Sequence, residues 1–340
     1  MFTTLRYARR PMTPTPPGRL ETSCQSLEAL GAWLASRDFG RLEDDALPML
    51  LLAVHGRDFT RDFREEFDAG DDWAPALGRT ARAVGRAFDF LREDAGIAHL
   101  SLVPRPDVLP LLCRFFHLHP QPPAESRVRL AHWLWRHALF DTARSPPDTD
   151  ALASFALLTP DAGASVRALL DRVGPPPPRG WERYSQPGMA GLASVADRVE
   201  ANALLALKPR HLLTSAVLEP GPLLEVQGAV AFLPLFPPPL SGAAPPPGPG
   251  SDLLLTLANQ VFHPVLAPGR SLLGLVRAGV TPSAVFPTHA LGPDALAALR
   301  LGDGAGFLAR RRDGLVTHIR AFIRARTGAD PEEDASIPQE

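Results

Sequence analysis

The sequence predicts a mainly α protein, a helical bundle with a small α+β segment toward the carboxy terminus. Three observations carry this. Apolar residues recur at helical spacing through most of the chain's first half. Proline-rich breaks separate these stretches. Strand character is confined to the short run Leu223–Leu233. With 340 residues, 45% of them apolar, the chain can bury a large core without disulfide or metal staples.

Taken in order, residues 1–20 hold Arg9, Arg10, Pro11, Pro14, Pro16 and Pro17 and read as a flexible lead-in. A helical domain is expected over 21–143. Leu27, Leu30, Trp33 and Leu34 open its pattern, and Asp45–Val54 continues it with Leu47, Leu50 and Leu51. The clearest helix spans 76–92. Leu77, Ala81, Val84, Phe88 and Leu91 form one apolar stripe there, and Arg79, Arg82 and Arg86 lie off it. Pro104–Pro110 breaks the pattern before apolar helices at Leu111–Phe116 and Val128–Phe140.

Residues 144–222 read as a helical linker region. Helices are expected near 150–158, 162–173 and 189–206, with the polyproline spacer Gly174–Pro178 between the last two. Residues 223–327 open on the strand. A loop over 237–250 follows, with seven prolines and three glycines. Leu253–Val261 is apolar again, and Phe307–Arg326 is a basic helix with Leu308, Leu315, Ile319 and Phe322 on one side. Residues 328–340 form an acidic tail.

Composition excludes several function classes. A net charge of −2 rules out a basic nucleic-acid arm, so any nucleic-acid surface must be a local patch. Two cysteines, Cys24 and Cys113, cannot frame a disulfide scaffold and suit a reducing compartment. The first ten residues lack the apolar core of a signal peptide, and no apolar run is long enough to span a bilayer. A cytoplasmic protein without a membrane partner is expected. Lys208 is the only lysine, so there is no Walker A loop. A restriction-type nuclease core would need an acid at position 206, where Ala206 stands.

Several residues could carry chemistry. Arg310, Arg311, Arg312, Arg320, Arg324 and Arg326 are read as nucleic-acid or partner contacts, because guanidinium forks match phosphate. The competing reading is a solvated helix face. Arg79, Arg82 and Arg86 form a second basic face, diluted by Asp89 and Glu93. Cys113, His117 and His119 contain zinc-type ligands, but Cys113 reads equally as a small buried hydrophobe. His263 and His289 with Asp252 lack any zinc-site spacing. Trp133, Trp135, Trp181 and Tyr184 could stack on bases or fill the core. Glu65, Glu66, Asp68, Asp71 and Asp72 fit a solvated turn. No metal, cofactor or catalytic residue is expected.

The carboxy-terminal third follows a recognisable order: Leu257-Ala258-Asn259, Ser271 to Phe286, Thr288-His289-Ala290-Leu291, Phe307-Leu308-Ala309-Arg310-Arg311, then an amphipathic helix. This resembles the back half of GmrSD-like restriction proteins, bacterial anti-phage enzymes. Ala131–Arg136 resembles the end of their helical middle region, so the likeness extends over 21–326. These proteins join a ParB-like nucleotide-dependent domain to a helical region and a His-Asn-His nuclease segment. The resemblance aligns their His-His-Ile-Phe-Pro motif with Val230-Ala231-Phe232-Leu233-Pro234, and their asparagine with Asn259. Both histidines are thereby replaced, and valine and alanine have no lone pair with which to activate water or hold a metal. Asn259 is read either as a family remnant or as a loop-bridging residue. The ParB-like domain is expected to be missing. The resemblance therefore implies a non-catalytic scaffold, binding DNA or a partner protein that supplies the nucleotide-dependent domain. A divergent metal-dependent nuclease and a protein-interaction module without nucleic acid are the alternatives.

Overall fold

The computed structural model describes residues 26–43, 45–62, 66, 73–140, 147–175, 191–237 and 251–329. The lead-in 1–20, Cys24, Trp181, Tyr184, Glu65, Asp68, Asp71, Asp72, most of the two proline-rich stretches and the acidic tail beyond Ala329 lie outside these residues.

The expected mainly α architecture is observed. Helix α1 (Leu27–Ala35) starts where the Ser26 hydroxyl accepts the Ala29 N–H at 3.1 Å. Helices α2 (Ala46–Val54) and α3 (Trp73–Glu93) follow. Two single-turn 3₁₀ segments, Leu100–Leu102 and Pro106–Val108, lead into α4 (Leu109–Leu118) and α5 (Ala124–Phe140). Next come α6 (Pro147–Phe155), α7 (Ala162–Val173) and α8 (Val195–Ala206). A reciprocal capping box of Ser194 and Asp197 sets the start of α8.

The strand expected over 223–233 is a correction. Pro220–Gln227 forms helix α9 instead, and only Phe232–Pro234 is a strand, β1. A short apolar run does not distinguish helix from strand by periodicity alone. Here Pro220 presets the first helical turn. Gly228, at φ +54°, then ends the helix in a conformation that other residues adopt only with strain. Strand β1 pairs antiparallel with β2 (Gln260–Phe262), Phe232 opposite Phe262 and Pro234 opposite Gln260. Between them lie 3₁₀ segments Ser251–Leu255 and Leu257–Asn259. Helix α10 (Leu272–Arg277), a 3₁₀ segment Ser283–His289, α11 (Pro293–Arg300) and α12 (Gly304–Thr327) complete the described chain.

Among the described residues two large apolar cores form, beside a small cluster of Leu52, Ala53 and Phe59. The larger one joins α1–α5, α7 and α8, with Phe88, Phe115 and Trp135 fully buried. The smaller one gathers Leu235, Val261, Phe286, Leu299 and Phe307 around the two-strand ribbon. Helix α12, about 36 Å long at 1.5 Å per residue, belongs to both. Its Phe307 and Leu308 pack in the small core, and Leu315, Ile319, Phe322 and Ile323 pack in the large one. Trp133 and Trp135 are core residues: the Trp135 Nε1–H donates to the Ala95 carbonyl at 3.1 Å, and its ring meets Phe322 edge-on. No described helix is long and apolar enough to cross a membrane.

Because α12 bridges the cores, truncating its buried side opens cavities that no neighbour fills. Ile319→Ala should cost about 2–5 kcal/mol in urea unfolding. Leu301→Ala, at 86% exposure, should change stability by less than about 0.5 kcal/mol. Equal effects would contradict the assignment of α12 to the core.

Candidate functional site

The two-strand ribbon presents the segment expected from the sequence to be a degenerate nuclease site, and its polar residues are turned into the fold. Asn259 is fully buried at the end of a 3₁₀ turn. Its Nδ2 donates to the carbonyls of Phe236 and Leu254, both at 2.9 Å, and its Oδ1 accepts the Phe236 N–H at 2.8 Å. The side chain thus bridges the chain on either side of the ribbon's loop. Of the two residues aligned with the nuclease histidines, Val230 is 63% exposed and Ala231 is buried, its carbonyl accepting the His263 backbone N–H.

Three histidines meet behind this ribbon. The rings of His211 and His263 lie 4.4 Å apart between centroids. Both nitrogens of buried His263 are engaged: Nδ1–H donates to the Pro264 carbonyl at 2.8 Å and Nε2 accepts the Leu212 N–H at 3.2 Å. His289 is also buried and donates from Nε2 to the Arg210 carbonyl at 2.6 Å. The Nδ1 of His211 accepts the N–H groups of Leu213 and Thr214. Burial, the largest cause, pushes His263 and His289 down to about 4, and it lowers His211 as well. These are neutral imidazoles used as backbone braces. His211 escaped the sequence reading because it is joined to the others only by the fold.

Arg311 is the main correction to the expected contact residues. It is 1% exposed and points between the cores. Its guanidinium donates to the carbonyls of Leu257, Ala258, Gln260 and His289, with Nε and Nη2 sharing the last. A side chain so enclosed cannot reach phosphate. Burial lowers its pKa to about 9, which leaves it charged at neutral pH. The other arginines of α12 do not share one outward face. Arg310 approaches Asp303 at 3.8 Å, and Arg312 pairs with Asp313 at 2.8 Å. Arg326 donates to the Asp94 carbonyl and lies over the Phe322 ring. Arg320 and Arg324 are half-buried.

The remaining candidates separate. Cys113 is fully buried, and burial raises its thiol well above the usual range, so it packs as a hydrophobe. Among the described residues, no group of three or more His, Cys, Asp or Glu is arranged to hold a metal ion. One arrangement had no sequence signal at all. Ser101 Oγ–H donates to His99 Nδ1 at 2.8 Å, and His99 Nε2–H donates to Glu225 at 3.0 Å across 126 positions. His99 also caps the 3₁₀ turn by accepting the Ser101 backbone N–H. It lines a cavity of about 790 Å³ with Arg41, Met49, Phe59, Ser101 and Asp107. The chain of hydrogen bonds latches α9 to the large core.

Neutral buried histidines make a pH signature. Unfolding lets His263 and His289 take up protons near their usual 6.5, whereas the folded state binds them only near 4. More protons are bound unfolded in that window, so stability rises with pH across it and is lost on acidification. The expected slope is roughly 1.4 kcal/mol per pH unit for each histidine. Urea unfolding at neutral pH and in mild acid checks this, and a flat profile would contradict the buried, neutral assignment. Compared with known families, curated proteins and solved structures, the chain matches none of them.

Proposed function

We propose that the chain is a non-catalytic scaffold that binds DNA or a partner protein, related to bacterial anti-phage restriction systems of the GmrSD type. One observation carries this reading. Asn259, the polar member of the resembled nuclease motif still present, has its amide closed on backbone groups of Phe236 and Leu254. The residues aligned with the catalytic histidines are Val230 and Ala231, which offer no base and no ligand. The nearby histidines His263 and His289 already commit nitrogens to the carbonyls of Pro264 and Arg210. Polar groups that would serve a hydrolytic site therefore brace the backbone. The bacterial restriction context rests on the sequence resemblance alone.

The test is DNA binding and cleavage by the purified protein with Mg²⁺ or Mn²⁺ at low and high salt. The expected outcome is salt-sensitive binding to duplex DNA without cleavage. Cleavage that Asn259→Ala or His263→Ala abolishes would overturn the reading and establish a divergent nuclease.

A further inference from the structure

Basic residues that the sequence scatters over three helices meet at one end of the large core. Helix α3 carries Arg79, Arg82 and Arg86 at steps of three and four residues, which places them on one strip. Arg79 is exposed, and Arg82 and Arg86 are half-buried. None of the three forms an ion pair with a described residue, and the following described acids are committed elsewhere. Asp89 pairs with Arg37 at 2.7 Å. Glu93 and Asp94 both pair with Arg127. Asp58 is bound to Thr60 and Arg61.

The neighbouring helices add to the positive charge. Arg114 of α4 donates to the Val54 carbonyl at 2.7 Å, anchoring its guanidinium against the end of α2. Gly56, at φ +73°, makes room for it, because a Cβ there would stand 2.9 Å from an Arg114 nitrogen. His55 and His117 sit beside it, ring centroids 6.4 Å apart, and His55 Nε2 contacts the Ala76 carbonyl one turn before Arg79. After burial, the charges that depress His117 are Arg114, His55, Arg79 and Arg82, all of them basic. Like charges drawn together without acidic partners among the described residues repel, and an anionic ligand relieves that repulsion.

We propose that Arg79, Arg82 and Arg86, backed by Arg114, form a phosphate-binding strip that grips the backbone of duplex DNA. The inference rests on the DNA-binding form of the scaffold reading, and it moves the contact from α12 to α3. Arginine forks would neutralise successive phosphates without reading bases, so binding would be strongly salt-dependent and weakly sequence-dependent.

A labelled duplex oligonucleotide, titrated over a salt series, tests it. Arg79→Ala/Arg82→Ala/Arg86→Ala should lower the magnitude of the log K versus log salt slope by roughly 2 to 3, about 0.9 for each phosphate no longer neutralised. Arg310→Ala/Arg312→Ala should leave the slope unchanged. Circular dichroism checks that the triple variant is folded, and Arg79→Glu alone, a surface change, should weaken binding further than Arg79→Ala. Equal slopes for wild type and the folded triple variant would overturn the strip while leaving a DNA-binding scaffold standing. Displacement of a labelled phosphate probe without any duplex binding would overturn it in favour of a small phosphate ligand. Cleavage of the duplex would instead overturn the scaffold reading itself.

Discussion

The carboxy-terminal segment is held in place by one buried cation. The Arg311 guanidinium lies between the two cores and donates to four backbone carbonyls. His289 sits at the carboxy-terminal end of one 3₁₀ segment and Ala258 lies inside the other, while the Leu257 carbonyl also accepts the Gln260 N–H within its own turn. Their dipoles point negative, so they suit a cation in place of a carboxylate. The arrangement is demanding. A buried charge is costly unless all its donors are used, and removing it would leave carbonyls such as those of Ala258 and His289 short of a donor. A ribbon of two three-residue strands is marginal alone, and this anchor to α12 supports it beside the packing of Phe232 and Phe262 in the large core.

The same use of polar groups runs through the segment around the two-strand ribbon. Asn259, His263 and His289 are residue types that could hold a metal or move a proton. Here each donates to, or accepts from, the backbone of a neighbouring loop. The segment is a set of polar braces in a small core, and Arg79, Arg82 and Arg86 of α3 form no ion pair with a described residue.

Much of the fold was legible because helices announce themselves by period. The apolar stripe at Leu77, Ala81, Val84, Phe88 and Leu91 marked α3, and observed ends fell within a few residues of those expected. Leu223–Leu233 misled because its helix is set by Pro220 and Gly228, not by apolar spacing. Arg311 misled for a different reason. Three successive arginines read as one charged surface, yet Arg311 lies three residues after Leu308 and four before Leu315, in phase with the buried stripe. That phase was the available signal. The convergence of Arg79, Arg82, Arg114, His55 and His117 had none, since helices separated in sequence bring them together. Asn259 was legible as a residue type, but its partners were not.

Amide hydrogen exchange on Arg311→Gln measures the central claim most directly. If the guanidinium anchors the segment, exchange should accelerate over residues 257–262 and 283–291, while α3, α4 and α5 keep their protection. Unchanged exchange there, or an equal loss throughout the molecule, would contradict the assignment of Arg311 as the anchor of the carboxy-terminal segment.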